Sequence, residues 1–368
     1  MKRRASHTAG LRRAETWQPE TCSPVGAAYR RLALFALLLA LVVVSLGAYV
    51  RLSDAGLGCP DWPGCYGKLV GVPEQAHELA HAEARFGQSV EAPKAWKEMI
   101  HRYAAGTLGL CILALTAIAW RHRVRRRPWL ELALLGVVTG QALLGMLTVT
   151  RLLKPVIVTS HLLGGMSTLA LLALIVLREG RSPRPTAFPT GLKVLAILAT
   201  ASVLTQIALG GWVSSNYAAT ICADFPTCQG SFRPETDFHH AFTLDRELGN
   251  TASGELLPAA ALTAIHWTHR LFAGVVLGIV GAFSLCLLRR HEGRRHGLAL
   301  LATLALQISL GIANVLLQLP LPLAVAHNTG AALLLCAVLA ATWKVLNGEK
   351  ARHPYAMAGF PRRFQAIR

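Results

Sequence analysis

Four histidines recur as two matched pairs along the 368-residue chain. They lie in the stretches "EMIHRYAAG" (98–106), "SHLLGG" (160–165), "WTHRLFAGV" (267–275) and "AHNTGA" (326–331). His101 thus matches His269, and His161 matches His327. Two opposed imidazoles on facing helices can fill both axial positions of a heme iron. The pattern predicts two such sites; the alternative is that each histidine only hydrogen-bonds a neighbouring helix.

Glu98 is the part of this pattern that does not repeat. It lies three residues before His101, on the same helical face, whereas the matching residue of the second copy is His266. A carboxylate beside an iron ligand can transfer protons during an oxidation. The alternative is a plain ion pair with Arg102 or Lys94. Arg102, like its match Arg270, is suited to contact either heme propionates or lipid phosphates.

The elements that must position these residues are apolar helices. The chain is 53% hydrophobic and only 15% charged, and its apolar residues form runs close to the length of a bilayer core. Eight runs are long enough to cross a membrane: 31–50, 98–120, 129–149, 156–177, 192–213, 261–288, 297–318 and 322–345. Because a backbone in lipid must satisfy its own hydrogen bonds, the sequence predicts an all-α integral membrane protein with eight transmembrane helices.

The chain also contains an internal duplication. "GAYVRLSDAGLGCPDWPGCYG" (47–67) aligns with "GGWVSSNYAATICADFPTCQG" (210–230), and "QALLGMLTV" (141–149) resembles "QISLGIANV" (307–315). Four helices per copy is an even number, so both copies enter the membrane in the same direction. The sequence predicts two parallel-repeat four-helix bundles: an N-terminal half over 30–180 and a C-terminal half over 190–346.

The formal charge of +18 is unevenly distributed. We assign 26 of the 37 Lys and Arg residues to the two ends of the chain and to alternate connections. The positive-inside rule then predicts that segment 1–29 and tail 347–368 are cytoplasmic. These basic runs indicate topology signals and contacts with anionic lipid rather than a nucleic-acid site. The Ala-, Leu- and Arg-rich composition favours a bacterial plasma membrane over the mitochondrial inner membrane.

Two cysteine pairs lie in the long outer connections that follow the first helix of each half. They are Cys59 with Cys65 and Cys222 with Cys228, flanked by Asp and Pro at matching places. Disulfides persist outside the cytoplasm, and a loop that turns can bring such a pair within bonding range. We predict a disulfide in each half. A zinc site is the weaker alternative, because neither pair has companion ligands at metal spacing.

Taken together, these stretches resemble the heme A synthase family over about residues 30–346. "VRLSDAGLGCPDWPGC" (50–65) and "FHHAFTL" (238–244) add to the match. The resemblance implies oxidation of the C8 methyl group of heme O to a formyl group, giving heme A for cytochrome oxidase. The implied route is two successive hydroxylations of the methyl group and loss of water from the geminal diol.

The resemblance also implies roles for individual residues. His269 and His327 would hold a heme b cofactor in the C-terminal half, while His101 and His161 would flank the substrate iron in the N-terminal half. Glu98 matches a functional glutamate of the family, and the first cysteine pair matches one linked to activity. Heme O synthase and cytochrome oxidase assembly factors are the expected partners, and a homo-oligomer is compatible with the sequence.

Two other functions are alternatives to the enzyme. A two-heme membrane cytochrome that only relays electrons predicts more similar halves, which the Glu98–His266 difference opposes. A transporter built from parallel repeats predicts charges or broken helices deep in the bilayer. The eight runs carry no acid near their middle.

Overall fold

The chain is described here by a computed structural model that covers residues 24–123, 128–180 and 186–348. Its α-helices are, in chain order, α1 (Pro24–Leu52), α2 (Ala76–Phe86), α3 (Ala92–Arg121), α4 (Trp129–Thr150), α5 (Pro155–Arg178), α6 (Thr190–Ser215), α7 (Phe238–Ala241), α8 (Ala259–Leu288), α9 (Arg294–Leu316) and α10 (Leu321–Asn347). Eight are long and apolar enough to cross a membrane, and the described residues contain no β-strand. The predicted all-α membrane class is confirmed. Segment 1–29 and tail 347–368 lie mostly outside the described residues.

The helix starts follow from local sequence. Proline occupies the first turn of α3, α5 and α10, where its missing N–H is not needed by the helix. Helix α3 therefore begins at Ala92, before the apolar run predicted from residue 98. This earlier start places Glu98 inside the helix rather than at its boundary.

Helix α1 shows how the apolar helices divide their surface. Its fully buried residues recur every three or four positions, at Tyr29, Ala33, Ala36 and Ala40. Small residues on this face allow neighbouring helices to approach closely, which replaces the hydrophobic driving force that lipid does not provide. Large apolar side chains on the other faces are exposed and suited to contact lipid: Leu34, Phe35, Leu38 and Val42.

The long helices pack as two sets of four. In the first set, α1 and α4 each contact both α3 and α5. In the second set, α6 and α9 each contact both α8 and α10. The sets meet where α1 contacts α10 and where α5 contacts α6 and α10. The parallel orientation of the two halves in a membrane stays a prediction.

Both predicted disulfides are confirmed. Cys59 is bonded to Cys65 at 2.04 Å, and Cys222 is bonded to Cys228 at 2.01 Å. In each loop an aspartate accepts hydrogen bonds from two backbone N–H groups: Asp61 from Tyr66 and Gly67, and Asp224 from Gln229 and Gly230. The Thr227 hydroxyl and these N–H groups lower the pKa of Asp224 to about 2. The two loops therefore turn in the same way above their respective helices.

Candidate functional site

The four matched histidines lie at the loop-bearing ends of the two helix sets. His101 lies on α3 and His161 on α5, and α1 and α4 each contact both of these helices. His269 on α8 and His327 on α10 have the same relation in the second set, where α6 and α9 each contact both helices. Each set thus brings together its two predicted iron ligands. The sequence places these pairs far apart along the chain, and helix packing makes them neighbours.

Each imidazole packs against a glycine of the adjacent helix. A Cβ atom added at Gly47 would lie 3.0 Å from His101 Cε1, and one at Gly210 would lie 3.0 Å from His269 Cε1. The corresponding distances are 3.5 Å from Gly145 to His161 and 3.1 Å from Gly311 to His327. Gly47 matches Gly210, and Gly145 matches Gly311. The close approach of backbone and ring is therefore part of the repeated plan.

The other glycines near the four histidines do not touch the imidazole rings. Gly164 and Gly330 face the side chains of Gln141 and Gln307, and Gly165 has Val44 as its nearest contact. An added Cβ at Gly106 or Gly274 would meet nothing within 4 Å. The duplicated alignment contained the signal for the glycines that do contact the rings, since Gly47 and Gly210 are identical there.

Gln206 is a contact of the site that sequence reasoning missed. Its Nε2 atom lies 3.2 Å from Nδ1 of His269 and donates to the His269 carbonyl at 3.1 Å. Gln307 approaches His327 in the same half, with 3.3 Å between the two Nε2 atoms. The N-terminal half has Val43 at the position of Gln206. The sequence signal that could have revealed this contact is the alignment of a polar residue, Gln206, with an apolar residue, Val43, in the duplication.

The histidine pairs fit a heme with two imidazole ligands. Nδ1 of His101, His161 and His327 is buried without a hydrogen-bond partner in the described structure. A buried polar atom left unpaired costs about 1–3 kcal/mol, so such atoms indicate a site built for a further group. Among the described residues, no cluster of three or more His, Cys, Asp or Glu side chains is arranged for a metal ion.

Glu98 is buried, with 5% exposure, and both of its carboxylate oxygens are bound. Oε1 lies 2.5 Å from Nη2 of Arg102, and Oε2 accepts the Cys59 N–H at 3.0 Å. Arg102 also donates to carbonyl oxygens of the first disulfide loop: Asp61 at 3.0 Å, Pro63 at 3.2 Å, and Gly64. The ion pair with Arg102, which the sequence offered as the alternative role of Glu98, is therefore present. The carboxylate is thereby fixed between α3 and the loop.

The matching residues of the second half, His266 and Arg270, have different hydrogen-bond partners. Arg270 donates through Nη2 to the Asp224 carbonyl at 2.7 Å, as Arg102 does to that of Asp61. Its Nη1 atom, however, is buried without a hydrogen-bond partner. His266, which replaces the glutamate, is 5% exposed, and its Nδ1 is also unpartnered.

His239 and His240, in the segment between α6 and α8, lie on the short helix α7. Nδ1 of His240 lies 2.5 Å from Oδ2 of Asp237, and its ring contacts that of His239. Trp212 of α6 donates to the Ala241 carbonyl at 2.9 Å. Helix α7 therefore packs against α8 and is hydrogen-bonded to the end of α6.

Comparisons with known proteins identify the family of the chain. The family model described as "Cytochrome oxidase assembly protein" matches residues 30–339. A curated heme A synthase of Shewanella oneidensis is 43% identical over 303 residues, which is 81% of this chain and 91% of that protein. Heme A synthases of Methylobacterium sp. and Caulobacter vibrioides are 30% and 28% identical, covering 84% of this chain and 89% and 93% of their own lengths. The chain therefore belongs to the COX15-CtaA family of cytochrome oxidase assembly proteins, and its resemblance to heme A synthases is confirmed.

Proposed function

We propose that this chain oxidises the C8 methyl group of heme O to a formyl group by successive hydroxylations, and so makes heme A. His269 and His327 hold a resident heme b in the C-terminal half, over 190–346. His101 and His161 flank the iron of the substrate heme in the N-terminal half, over 30–180. The observation that carries this proposal is the buried Glu98, bound on both oxygens, beside one histidine pair only.

The asymmetry of the halves supports chemistry rather than simple electron relay. An electron relay needs only two similar heme sites, and the matched histidine pairs with their glycines already provide these. Glu98 adds a group that can hold or move a proton in the N-terminal half. Arg102 fixes Oε1 and the Cys59 N–H fixes Oε2, so the carboxylate keeps one position while a substrate enters and leaves.

The hemes, when bound, supply the iron chemistry that oxidises the methyl group. The chain supplies position, proton handling and exclusion of water. Helix packing holds each imidazole against a glycine, which limits the ways in which the ring can turn. The surrounding apolar helices exclude bulk water from both histidine pairs.

The cellular setting of the reaction is part of the same proposal. Both termini are cytoplasmic, and the disulfide loops lie on the outer side of a bacterial plasma membrane. Heme O enters and heme A leaves the N-terminal half, in contact with heme O synthase and assembly factors of cytochrome oxidase. The distribution of Lys and Arg supports this orientation.

Production of heme A from heme O tests the proposal directly. The chain is co-expressed with a heme O source in a host that makes no heme A, and extracted hemes are identified by mass, with an empty vector as control. Heme A, or its hydroxylated intermediate, is the expected product. Accumulation of heme O alone, with the purified protein still binding heme, would reject the proposed oxidation and favour the two-heme electron relay.

A further inference from the structure

The two halves differ in which buried polar groups remain available to a ligand. On α8 of the C-terminal half, Nδ1 of His266 and Nη1 of Arg270 have no hydrogen-bond partner in the described structure. In the N-terminal half, the matching residues Glu98 and Arg102 pair with each other, and Arg102 also donates to three loop carbonyls. The C-terminal half therefore retains an unpaired guanidinium donor and an unpaired imidazole nitrogen, whereas the matching groups of the N-terminal half are paired.

The unpartnered atoms lie beside the second histidine pair. His266 and Arg270 are four residues apart on one face of α8. His269 lies between them in sequence, three residues after His266 and next to Arg270. His266 lies nearer than His269 to the start of the helix at Ala259, and therefore nearer to the loops. An anion at these atoms would sit on the loop side of a group held by His269.

A heme carries two carboxylate side chains on one edge. Burial in an apolar bundle strongly disfavours such charges. The heme edge that carries them must therefore point toward the polar end of the bundle or meet charged donors. Guanidinium groups bind carboxylates through charge-assisted hydrogen bonds, which are stronger than neutral ones. Nη1 of Arg270 meets this requirement directly. At His266, one proton would be shared between Nδ1 and a carboxyl oxygen.

We propose that His266 and Arg270 bind the carboxylate side chains of the heme held by His269 and His327, and that the N-terminal half lacks this contact. The inference rests on the proposed placement of the two hemes. Its consequence is a division of labour in which the C-terminal heme is retained, while the N-terminal heme exchanges.

Heme retention tests this proposal without measuring turnover. The full chain is purified in detergent and loaded with heme b or with heme b dimethyl ester, whose carboxylates are blocked. Loss of the heme held by His269 and His327 is followed as its transfer to excess apomyoglobin. The wild type should lose the ester about 100-fold faster, because two charge-assisted contacts at about tenfold each are missing.

Substitutions then assign the contacts. His266→Phe and Arg270→Gln should each reduce the difference between the two hemes by about tenfold. Arg102→Gln, at the matching place in the N-terminal half, should leave it unchanged. If Arg270→Gln does not hold heme, Arg270→Lys keeps the charge and should give an intermediate ratio.

Two results would overturn the proposal. One is equal loss of heme b and its ester from the wild type. The other is a faster loss of both hemes to the same extent in the variants, which would indicate only a tether from Arg270 to the disulfide loop. Heme A formation from heme O is measured on the same preparations. Its absence, with discrimination against the ester intact, would contradict the proposed function and leave the carboxylate contacts standing.

Discussion

Glu98 is the buried carboxylate on which the proposed chemistry of the N-terminal half depends. A buried carboxylate is costly unless a cation and hydrogen bonds compensate it, and here Arg102 and the Cys59 N–H do so. The same two contacts fix its direction. Its partners come from the helix itself and from the disulfide loop, so the loop has a direct part in holding the group.

Replacement of Glu98 by Gln should separate its chemistry from its packing. Glu98→Gln keeps the shape and an acceptor for the Cys59 N–H, but it removes the negative charge. We expect heme b to be retained and heme A formation to fall by about 100-fold, the usual contribution of a positioned acid or base. Glu91→Gln, at the exposed start of the same helix, is the control and should make heme A normally. A normal yield from Glu98→Gln would reject the catalytic role.

The glycine facing His269 allows a test of ligand position. An added Cβ at Gly210 would lie 3.0 Å from the ring, and the larger side chain of Gly210→Val must displace it. We expect loss of most of the low-spin heme b absorbance, approaching the complete loss expected from His269→Ala. Gly106→Ala, where an added Cβ meets open space, should keep the wild-type spectrum. An unchanged spectrum in both Gly210→Val and His269→Ala would overturn the ligand assignment.

At the scale of the helices, a second buried acid holds three of them together. Glu131 of α4 is fully buried, accepts from the Tyr29 hydroxyl of α1 at 2.5 Å and pairs with Arg178 of α5. The C-terminal half has Leu192, Gly297 and Lys344 at the matching places, so this triad belongs to one half only. It lies at the opposite end of the bundle from the histidines and serves packing.

Removal of the cation from this triad should destabilise the N-terminal half. Arg178→Met leaves Glu131 buried without its charge partner, a change that costs roughly 3–5 kcal/mol. We expect a clear fall in the midpoint of thermal unfolding in detergent. The double variant Glu131→Leu with Arg178→Met should recover most of the loss, because no unpaired charge remains. A double variant as unstable as Arg178→Met alone would contradict the ion-pair explanation.

At the scale of the whole molecule, polar contacts join the two sets of helices. Ser45 of α1 lies 2.8 Å from the Thr329 hydroxyl of α10, and Arg51 donates to the Ser214 carbonyl of α6 at 2.8 Å. Thr329 follows His327 of the second histidine pair by two residues, and Ser45 precedes Gly47, which packs against His101, by two residues. The interface between the halves thus passes next to both sites. Movement of one half against the other would disturb both histidine pairs.

Membrane orientation is a prediction for the whole molecule. Reporter fusions of alkaline phosphatase in loops 53–91 and 216–258 should be active, because we expect these disulfide-bearing loops on the outer side of the membrane. Fusions between α3 and α4, or after α10, should be inactive because Lys and Arg hold these segments in the cytoplasm. Green fluorescent protein, a reporter of cytoplasmic position, should give the opposite pattern when it is fused at the same places. Activity in the connection between α3 and α4 would reverse the assigned orientation.

Much of this molecule could be predicted from sequence because the evidence is local or periodic. Apolar runs predict spanning helices, since the lipid leaves the backbone no other way to satisfy its hydrogen bonds. The duplication predicted which histidines match and where both disulfides form. It also isolated Glu98 as the unrepeated acid. Each of these inferences compares residues along the chain and needs no knowledge of which helices touch.

Tertiary structure decided the contacts between residues distant in sequence. The sequence left Arg102 with lipid, heme or Glu98 as partners, and the folded loop gives it Glu98 and three carbonyl oxygens. The glycines against the imidazoles and the amide of Gln206 emerge only when α1, α4, α6 and α9 pack beside the histidine helices. Such contacts depend on the rotation and distance of neighbouring helices, which apolar periodicity does not specify. The sequence alone therefore determined the helices, the pairs and the exceptional acid, while helix packing decided what each of them touches.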